Sequence, residues 1–373
     1  MIKKKILLVL KEFRPVLFES ILKHGYQLDW NIEFYENHVP KNWYGDGIII
    51  DKTTTSEISQ FPKTIPIAMR SAIVGENIFS VHGDVEHNVK IVFDFFCSRG
   101  YQYYAVLNAN PLRFDPVKYM GVLVKSAGFE YHSLYWEKKI SKRENFAESI
   151  KSIKDFLISL PKPCAVYVGN VRHIHLVYRA CEEAKINIPQ DIAIIANTDD
   201  PGFGVNLKPS VSVLVGEFAT IGERLVEGLN GLMKGKPAPK EILMIPATHI
   251  VVRKSTDNYA VEHPETMRAI NYILKNFGDS QFGMPDMLQV SGCSAMTLQR
   301  TFVKHLNKLP SQFLQDVRLD AAATLLEQTN LTLIQIAAKV GYGSNRSLSL
   351  AFKRKFNSAP GKYRDNYLNT TSV

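Results

Sequence analysis

Leu288-Gln-Val-Ser-Gly292-Cys293-Ser294-Ala-Met-Thr-Leu298-Gln-Arg-Thr-Phe302 returns further along the chain as Ile336-Ala337-Ala-Lys-Val340-Gly341-Tyr342-Gly-Ser344-Asn-Arg-Ser-Leu348-Ser-Leu-Ala-Phe352. In each copy a short apolar run ends at a glycine suited to the left-handed conformation that stops a helix, and a serine follows where the next helix needs an N-cap. Leu and Phe then recur four residues apart, which puts both on the helix face that docks against the first helix. This is the grammar of a helix-turn-helix, written twice. Between the copies, Pro310, Phe313, Leu314, Arg318, Leu319, Ala322, Leu325 and Leu326 predict one long amphipathic helix that holds the two units rigidly apart. Two recognition helices on one chain enter successive major-groove segments when spaced by about one helical turn, roughly 34 Å.

Working outward from the repeat, helical periodicity covers 264–276, 285–291, 295–305, 310–328, 333–340 and 345–356, with a terminal turn from Pro360. No strand pattern follows Glu262. Before it, short apolar runs at 6–10, 47–51, 65–68, 104–107, 165–168, 192–196 and 250–252 alternate with amphipathic stretches such as 88–98, 147–160 and 174–184. Strand and helix alternating in this way imply parallel sheets covered by helices, and about 250 residues suit two such lobes. The expected organisation is an α/β domain over 1–257, a linker at 258–263, and an all-α domain over 264–367.

The charge distribution agrees with that division. The 373 residues carry 45 Lys+Arg against 36 Asp+Glu, a net +9. Residues 262–373 hold 13 Lys+Arg and 8 Asp+Glu, a net +5, and the last 35 residues alone reach +6. The surface that prefers anions is therefore at the C-terminus, which favours nucleic acid over a membrane. Hydrophobic residues at 45% and charged residues at 22% exclude wholesale disorder. Cys97, Cys164, Cys181 and Cys293 form no C-x-x-C pair and read as buried free thiols of a reducing compartment. No run approaches the ~20 apolar residues of a membrane span, and a cytoplasmic location is expected. The dinucleotide, P-loop, nucleophile-elbow and H-E-x-x-H signatures are all missing. His173 and His175 lack a third ligand in register, so they read as packing or surface residues. No catalytic residue, metal or cofactor is expected, and the chain is not read as an enzyme.

The segment 264–367 resembles the AraC/XylS family of transcription regulators. The resemblance rests on Arg318-Leu-x-x-Ala-x-x-Leu-Leu326, Ile336-Ala-x-x-x-Gly-Tyr342 and Phe356-x-x-x-Pro-x-x-Tyr-Arg364, and it implies two helix-turn-helix units on one chain. Leu288 stands where the family favours Ala, and Leu350 where many members place an Arg. By side-chain chemistry, Gln299 and Arg300 in the first recognition helix and Asn345 and Arg346 in the second suit bidentate pairing with adenine and guanine edges. Met296 suits a thymine methyl. Ser294 and Ser344 are expected to cap helices and meet phosphates, and Lys304, Lys353, Lys355 and Arg364 to clamp phosphates without reading sequence.

The first 250 residues resemble, more loosely, the periplasmic-binding-protein-like sensor of the LacI/GalR type. The resemblance lies in Gly45–Asp51, Ile188–Ala196, Ser210–Val213 with Ile221-Gly222, and Pro246 to Thr256. Such a sensor joined to a C-terminal AraC-type segment resembles activators of xylose operons, which implies a two-lobed fold closing over a sugar. The matching ligand positions are Asp84, Lys118, Asp199 and Glu217. Lys118 replaces an Arg and lacks its planar fork. Asp199 competes with Thr198 for the acidic-turn position, Gly169-Asn170 replaces an Asp-containing segment, Asp84 is equally readable as a helix cap, and Glu217 reads more readily as a cap or surface charge than as a ligand contact. The resemblance implies a homodimer that binds double-stranded promoter DNA, responds to a pentose and contacts RNA polymerase. The alternative is a constitutive or architectural DNA-binding protein whose α/β domain is a dimerisation scaffold.

Overall fold

The computed structural model describes residues 3–11, 13–36, 38–51, 55–136, 146–198, 204–261 and 263–371. It divides into two compact units, Met1–Phe96 with Gln102–Asn258, and Cys97–Tyr101 with Tyr259–Val373.

The first unit contains two six-stranded sheets. In chain order its elements are β1 (Lys5–Leu10), α1 (Pro15–Gln27), β2 (Asn31–Glu36), β3 (Gly47–Asp51), α2 (Thr55–Ile58), β4 (Ile67–Arg70), β5 (Ile78–Gly83), α3 (Val85–Cys97), β6 (Tyr103–Asn108) and α4 (Pro116–Ser126). They continue with β7 (Glu130–Tyr135), α5 (Phe146–Ser159), β8 (Cys164–Val168), α6 (Ile174–Ala184), β9 (Ile192–Thr198), β10 (Ser212–Val215), α7 (Phe218–Met233), β11 (Leu243–Ile245) and β12 (His249–Val251). One sheet has the order β11-β5-β4-β3-β1-β2 and the other β12-β10-β9-β8-β6-β7. Both are parallel throughout except that β12 runs antiparallel to β10. The central strands are buried on both faces, and this is why β1, β3, β8 and β9 read as continuous apolar runs.

The chain passes between the lobes three times, from β5 through α3 to β6, from β10 to α7, and from β11 to β12. These crossings are tied to one another. The Asp84 amide donates to the Ile245 carbonyl at 2.7 Å, the buried Asn88 side chain accepts from the Ala247 amide at 2.7 Å, and Glu217 accepts from the Thr248 hydroxyl at 2.8 Å. Cys164 and Cys181 lie in the core of the second lobe. Burial pushes both thiols up, Cys181 to about 12.

The second unit is helical, with α8 (Pro264–Asn276), α9 (Met284–Ser291), α10 (Ala295–Leu306), α11 (Pro310–Gln328), α12 (Leu333–Lys339), α13 (Asn345–Phe356) and α14 (Pro360–Thr371). It has two hydrophobic cores. Ile270, Ile273, Met287, Leu298, Phe302 and Leu306 form the first, and Ile336, Ala337, Val340, Leu348 and Phe352 the second. Helix α11 serves both, since Phe313 and Leu314 enter the first core while Leu319, Ala322 and Leu326 enter the second. Between those halves Arg318 donates to the Phe277 carbonyl at 2.8 Å and to the Asp279 carbonyl at 2.6 Å, closing the C-terminal end of α8 onto the shared helix. Residues 97–101 join this unit, where the Arg99 carbonyl accepts from the Ala260 amide at 2.8 Å.

Candidate nucleic-acid interface and ligand cleft

Each recognition helix starts the same way. Ser294 Oγ accepts from the Thr297 amide at 3.2 Å and Ser344 Oγ from the Ser347 amide at 3.1 Å, fixing α10 and α13 at equivalent first residues. Upstream, Gly292 and Gly341 take positive φ of 73° and 76°, the left-handed turn that ends α9 and follows α12. With Leu298 and Phe302, or Leu348 and Phe352, buried, the opposite face of each helix is left to solvent. That face carries Met296, Gln299, Arg300 and Lys304 in α10, and Arg346, Leu350 and Lys353 in α13, with Asn345 at the first residue of α13, all exposed. The residue types that pair with base edges are thus together on the surface, and the groups that hold the helices are inside.

Two of the expected phosphate contacts are placed differently. Lys355 ion-pairs with Asp320 at 2.7 Å and Asp316 at 3.3 Å, and Asp316 also pairs with Lys308 at 2.5 Å. Burial alone would raise the Asp316 carboxyl, but Lys355 and Lys308 outweigh it and hold it below its usual range. Arg364 is half-buried and donates to the carbonyls of Leu326 at 3.3 Å and Leu331 at 2.5 Å, closing the end of α11. Lys355 is thus an exposed residue engaged with two carboxylates, and Arg364 is engaged with the backbone at the end of α11. Lys353→Ala is therefore expected to weaken binding to every duplex and lower the salt slope by about one. Lys355→Ala and Arg364→Ala should leave the slope unchanged, with Arg364→Ala costing about 1–3 kcal/mol of stability. Affinity titrations across salt concentrations, paired with denaturant melts, check this; equal slope changes for all three variants would contradict it.

In the first unit, the C-terminal ends of the two sheets are joined by Arg113 donating to the Ala72 carbonyl, Arg172 to the Phe13 carbonyl at 3.5 Å, and His82 against Phe114 with ring centroids 4.9 Å apart. Ligands of open parallel sheets bind at such strand ends. On one side Asp51, 1% exposed, pairs with Arg70, 9% exposed, at 2.5 Å. The Arg14 and Arg70 guanidinium carbons lie 4.8 and 5.4 Å from the Phe218 ring centroid. On the other side are Asn108 at the end of β6 and Asp115, which caps α4 and accepts from the Tyr135 hydroxyl. Burial and that carboxylate push the Tyr135 phenol well up. Among the described residues, Asp51 Oδ2, Arg70 Nη2 and Asn108 Nδ2 are buried without a hydrogen-bond partner, and unsatisfied buried polar atoms at strand ends call for a ligand or ordered water.

The expected ligand residues are placed as follows among the first unit's elements. Asp84 accepts from the His87 amide at 3.0 Å as the cap of α3, and Glu217 clasps Thr248, so both lie at the lobe crossings. Lys118 is exposed in the first turn of α4. Asp199 lies outside the described residues. His173 packs edge-on against Trp136 at 5.1 Å and His175 stacks on Phe146 at 6.1 Å, so both serve packing.

A family model described as a helix-turn-helix domain matches residues 287–366, and one described as a periplasmic binding protein-like domain matches residues 97–256. The chain carries both domains. The chain is 20% identical over 353 residues to the xylose operon regulatory protein of Escherichia coli (strain K12), covering 91% of this chain and 90% of that protein. Among solved structures it is similar to the xylose-binding transcription activator xylR, with TM-score 0.61, 19% identity, and 97% and 98% of the two chains covered. It is also similar to a periplasmic binding protein/LacI transcriptional regulator from Alkaliphilus metalliredigens QYMF complexed with D-xylulofuranose, with TM-score 0.52, 17% identity, and 68% and 99% covered. No helix among the described residues is long and apolar enough to cross a membrane.

The cleft of the first unit holds residues that sequence reasoning missed, namely Arg14, Asp51, Arg70, Asn108, Asp115 and Phe218. Asp51 and Asn108 had a signal, since each is a polar residue terminating an apolar strand. Arg14 and Phe218 had none, because their meeting depends on α7 returning to the first lobe.

Proposed function

We propose that this protein is a sugar-responsive DNA-binding transcription regulator and not an enzyme. It acts in the cytoplasm as a homodimer that activates pentose utilisation genes through promoter DNA and RNA polymerase. The observation that carries the reading is the pair of equivalently capped recognition helices on one shared helix, joined in the same chain to a two-lobed domain with unsatisfied polar atoms at its strand ends. The exposed faces of α10 and α13 supply the base-reading groups, with Met296, Gln299, Arg300, Asn345 and Arg346 toward bases and Ser294, Lys304, Ser344 and Lys353 toward phosphates. A pentose between Asp51, Arg70 and Asn108 satisfies their polar atoms, while Phe218 covers an apolar sugar face. Ligand alters DNA engagement only insofar as it binds one lobe arrangement better than another.

Thermal unfolding against a panel of aldoses and ketoses tests the sensor. A pentose at 100 times its dissociation constant should add about 2.7 kcal/mol to stability. The second reading, a constitutive or architectural DNA-binding protein with an α/β dimerisation scaffold, is favoured by the engagement of Asp84 and Glu217 at the lobe crossings. Unchanged melting with every sugar would select it.

A further inference from the structure

The two recognition helices carry the same chemistry in opposite order. Counted from their caps Ser294 and Ser344, the second position is Met296 in α10 and Arg346 in α13, and the sixth is Arg300 in α10 and Leu350 in α13. Positions four apart share a helix face, and all four of these side chains are on the exposed one. Met296 is 79% exposed and Leu350 55%, whereas Leu298 with Phe302 and Leu348 with Phe352 are buried. Among the described residues, neither Arg300 nor Arg346 has a hydrogen bond or ion pair. Leu350 follows Arg346 by one turn and precedes Lys353 by another, so an apolar group stands within a cationic surface that suits a polyanion.

In the major groove a guanidinium fork matches O6 and N7 of guanine, and an apolar side chain matches the C5-methyl of thymine. Resting on the DNA-binding reading above, we infer that each recognition helix reads one guanine and one thymine methyl, in reversed order between the two half-sites. In the first half-site Met296 touches the methyl near the helix start and Arg300 the guanine one turn on. In the second, Arg346 takes the guanine near the start and Leu350 the methyl one turn on. Leu350 is on this reading a specificity determinant.

The test uses the full chain and duplexes selected from a random pool. Each thymine of the selected operator is replaced in turn by deoxyuridine, which removes only the C5-methyl, and each guanine by 7-deazaguanine. One thymine in each half-site should lose about fourfold in affinity on losing its methyl, the transfer value of one such group. Met296→Ser should abolish that sensitivity in the first half-site alone, and Leu350→Ser in the second alone. Arg300→Ala and Arg346→Ala should do the same for one 7-deazaguanine position each. The exchange Met296→Arg with Arg300→Met should interchange the guanine and thymine preferences of the first half-site. A specific operator indifferent to deoxyuridine at every thymine, or one whose sensitivity survives both serine variants, overturns this inference and leaves the regulator reading standing. Recovery of no preferred sequence overturns both.

Discussion

Gly341→Ala is expected to destabilise the second helix-turn-helix unit by about 3–5 kcal/mol, combining left-handed backbone strain with overpacking. Gly341 has φ of 76°, and a Cβ there would lie 2.5 Å from the Phe277 carbonyl oxygen and 2.8 Å from Arg318 Nε. That nitrogen donates to the same carbonyl, so the methyl cannot be accommodated by moving one flexible side chain. The strain falls where the end of α8 and the shared helix α11 meet the second helix-turn-helix. Nearby Gly343 has open space around the position of its Cβ, which makes Gly343→Ala the matched control. Denaturant melts of the full chain, with footprinting of the operator, separate the outcomes. The expected result is loss of the second half-site with the first retained, and near-normal behaviour for Gly343→Ala. A Gly341→Ala protein within about 1 kcal/mol of the parent would mean the turn relaxes in a way this packing does not allow.

The second large effect is expected at the cleft. Asp51→Ala leaves the Arg70 guanidinium buried opposite nothing, and breaking one side of a buried pair costs about 3–5 kcal/mol. Asp51→Asn, which keeps an acceptor at the same place, should cost less. The double variant Asp51→Ala with Arg70→Met removes both charges and should recover most of the stability, because a well-packed apolar pair matches or exceeds a buried ion pair. Pentose-dependent stabilisation should be lost in all three, including the stable double variant. Retention of the full pentose shift in that double variant would remove Asp51 and Arg70 from the ligand site.

The helix-turn-helix repeat was legible because its determinants are local. Caps at Ser294 and Ser344, left-handed glycines at 292 and 341, and Leu-Phe pairs at helical spacing are all set within a few residues of one another. The expected helices 264–276, 310–328 and 345–356 coincide with α8, α11 and α13. In the α/β part, the apolar runs of β1, β3, β6, β8 and β9 announced themselves, whereas the inner strands β5 and β10 and the edge strands β2 and β7 were not among the expected runs. Asn31–Glu36 and Glu130–Tyr135 mix polar and aromatic residues because one face of each meets solvent, so no apolar run forms. The cleft was legible only in part. Its residues come from strand ends and helix starts far apart in sequence, and composition does not say that α7 carries Phe218 back to Arg14 and Arg70. Lys355 and Arg364 show the same gap, since composition does not say that Asp316, Asp320 and the end of α11 lie beside them.

Equilibrium titration of the full chain with its selected operator and with a scrambled duplex of equal length, each with and without a saturating pentose, tests the sugar-responsive regulator most directly. The expected result is operator binding on the order of 10³-fold or more tighter than the scrambled duplex at physiological salt, with pentose shifting operator affinity by roughly 5–150-fold. Equal affinity for the two duplexes, or operator binding unmoved by any pentose, would contradict it.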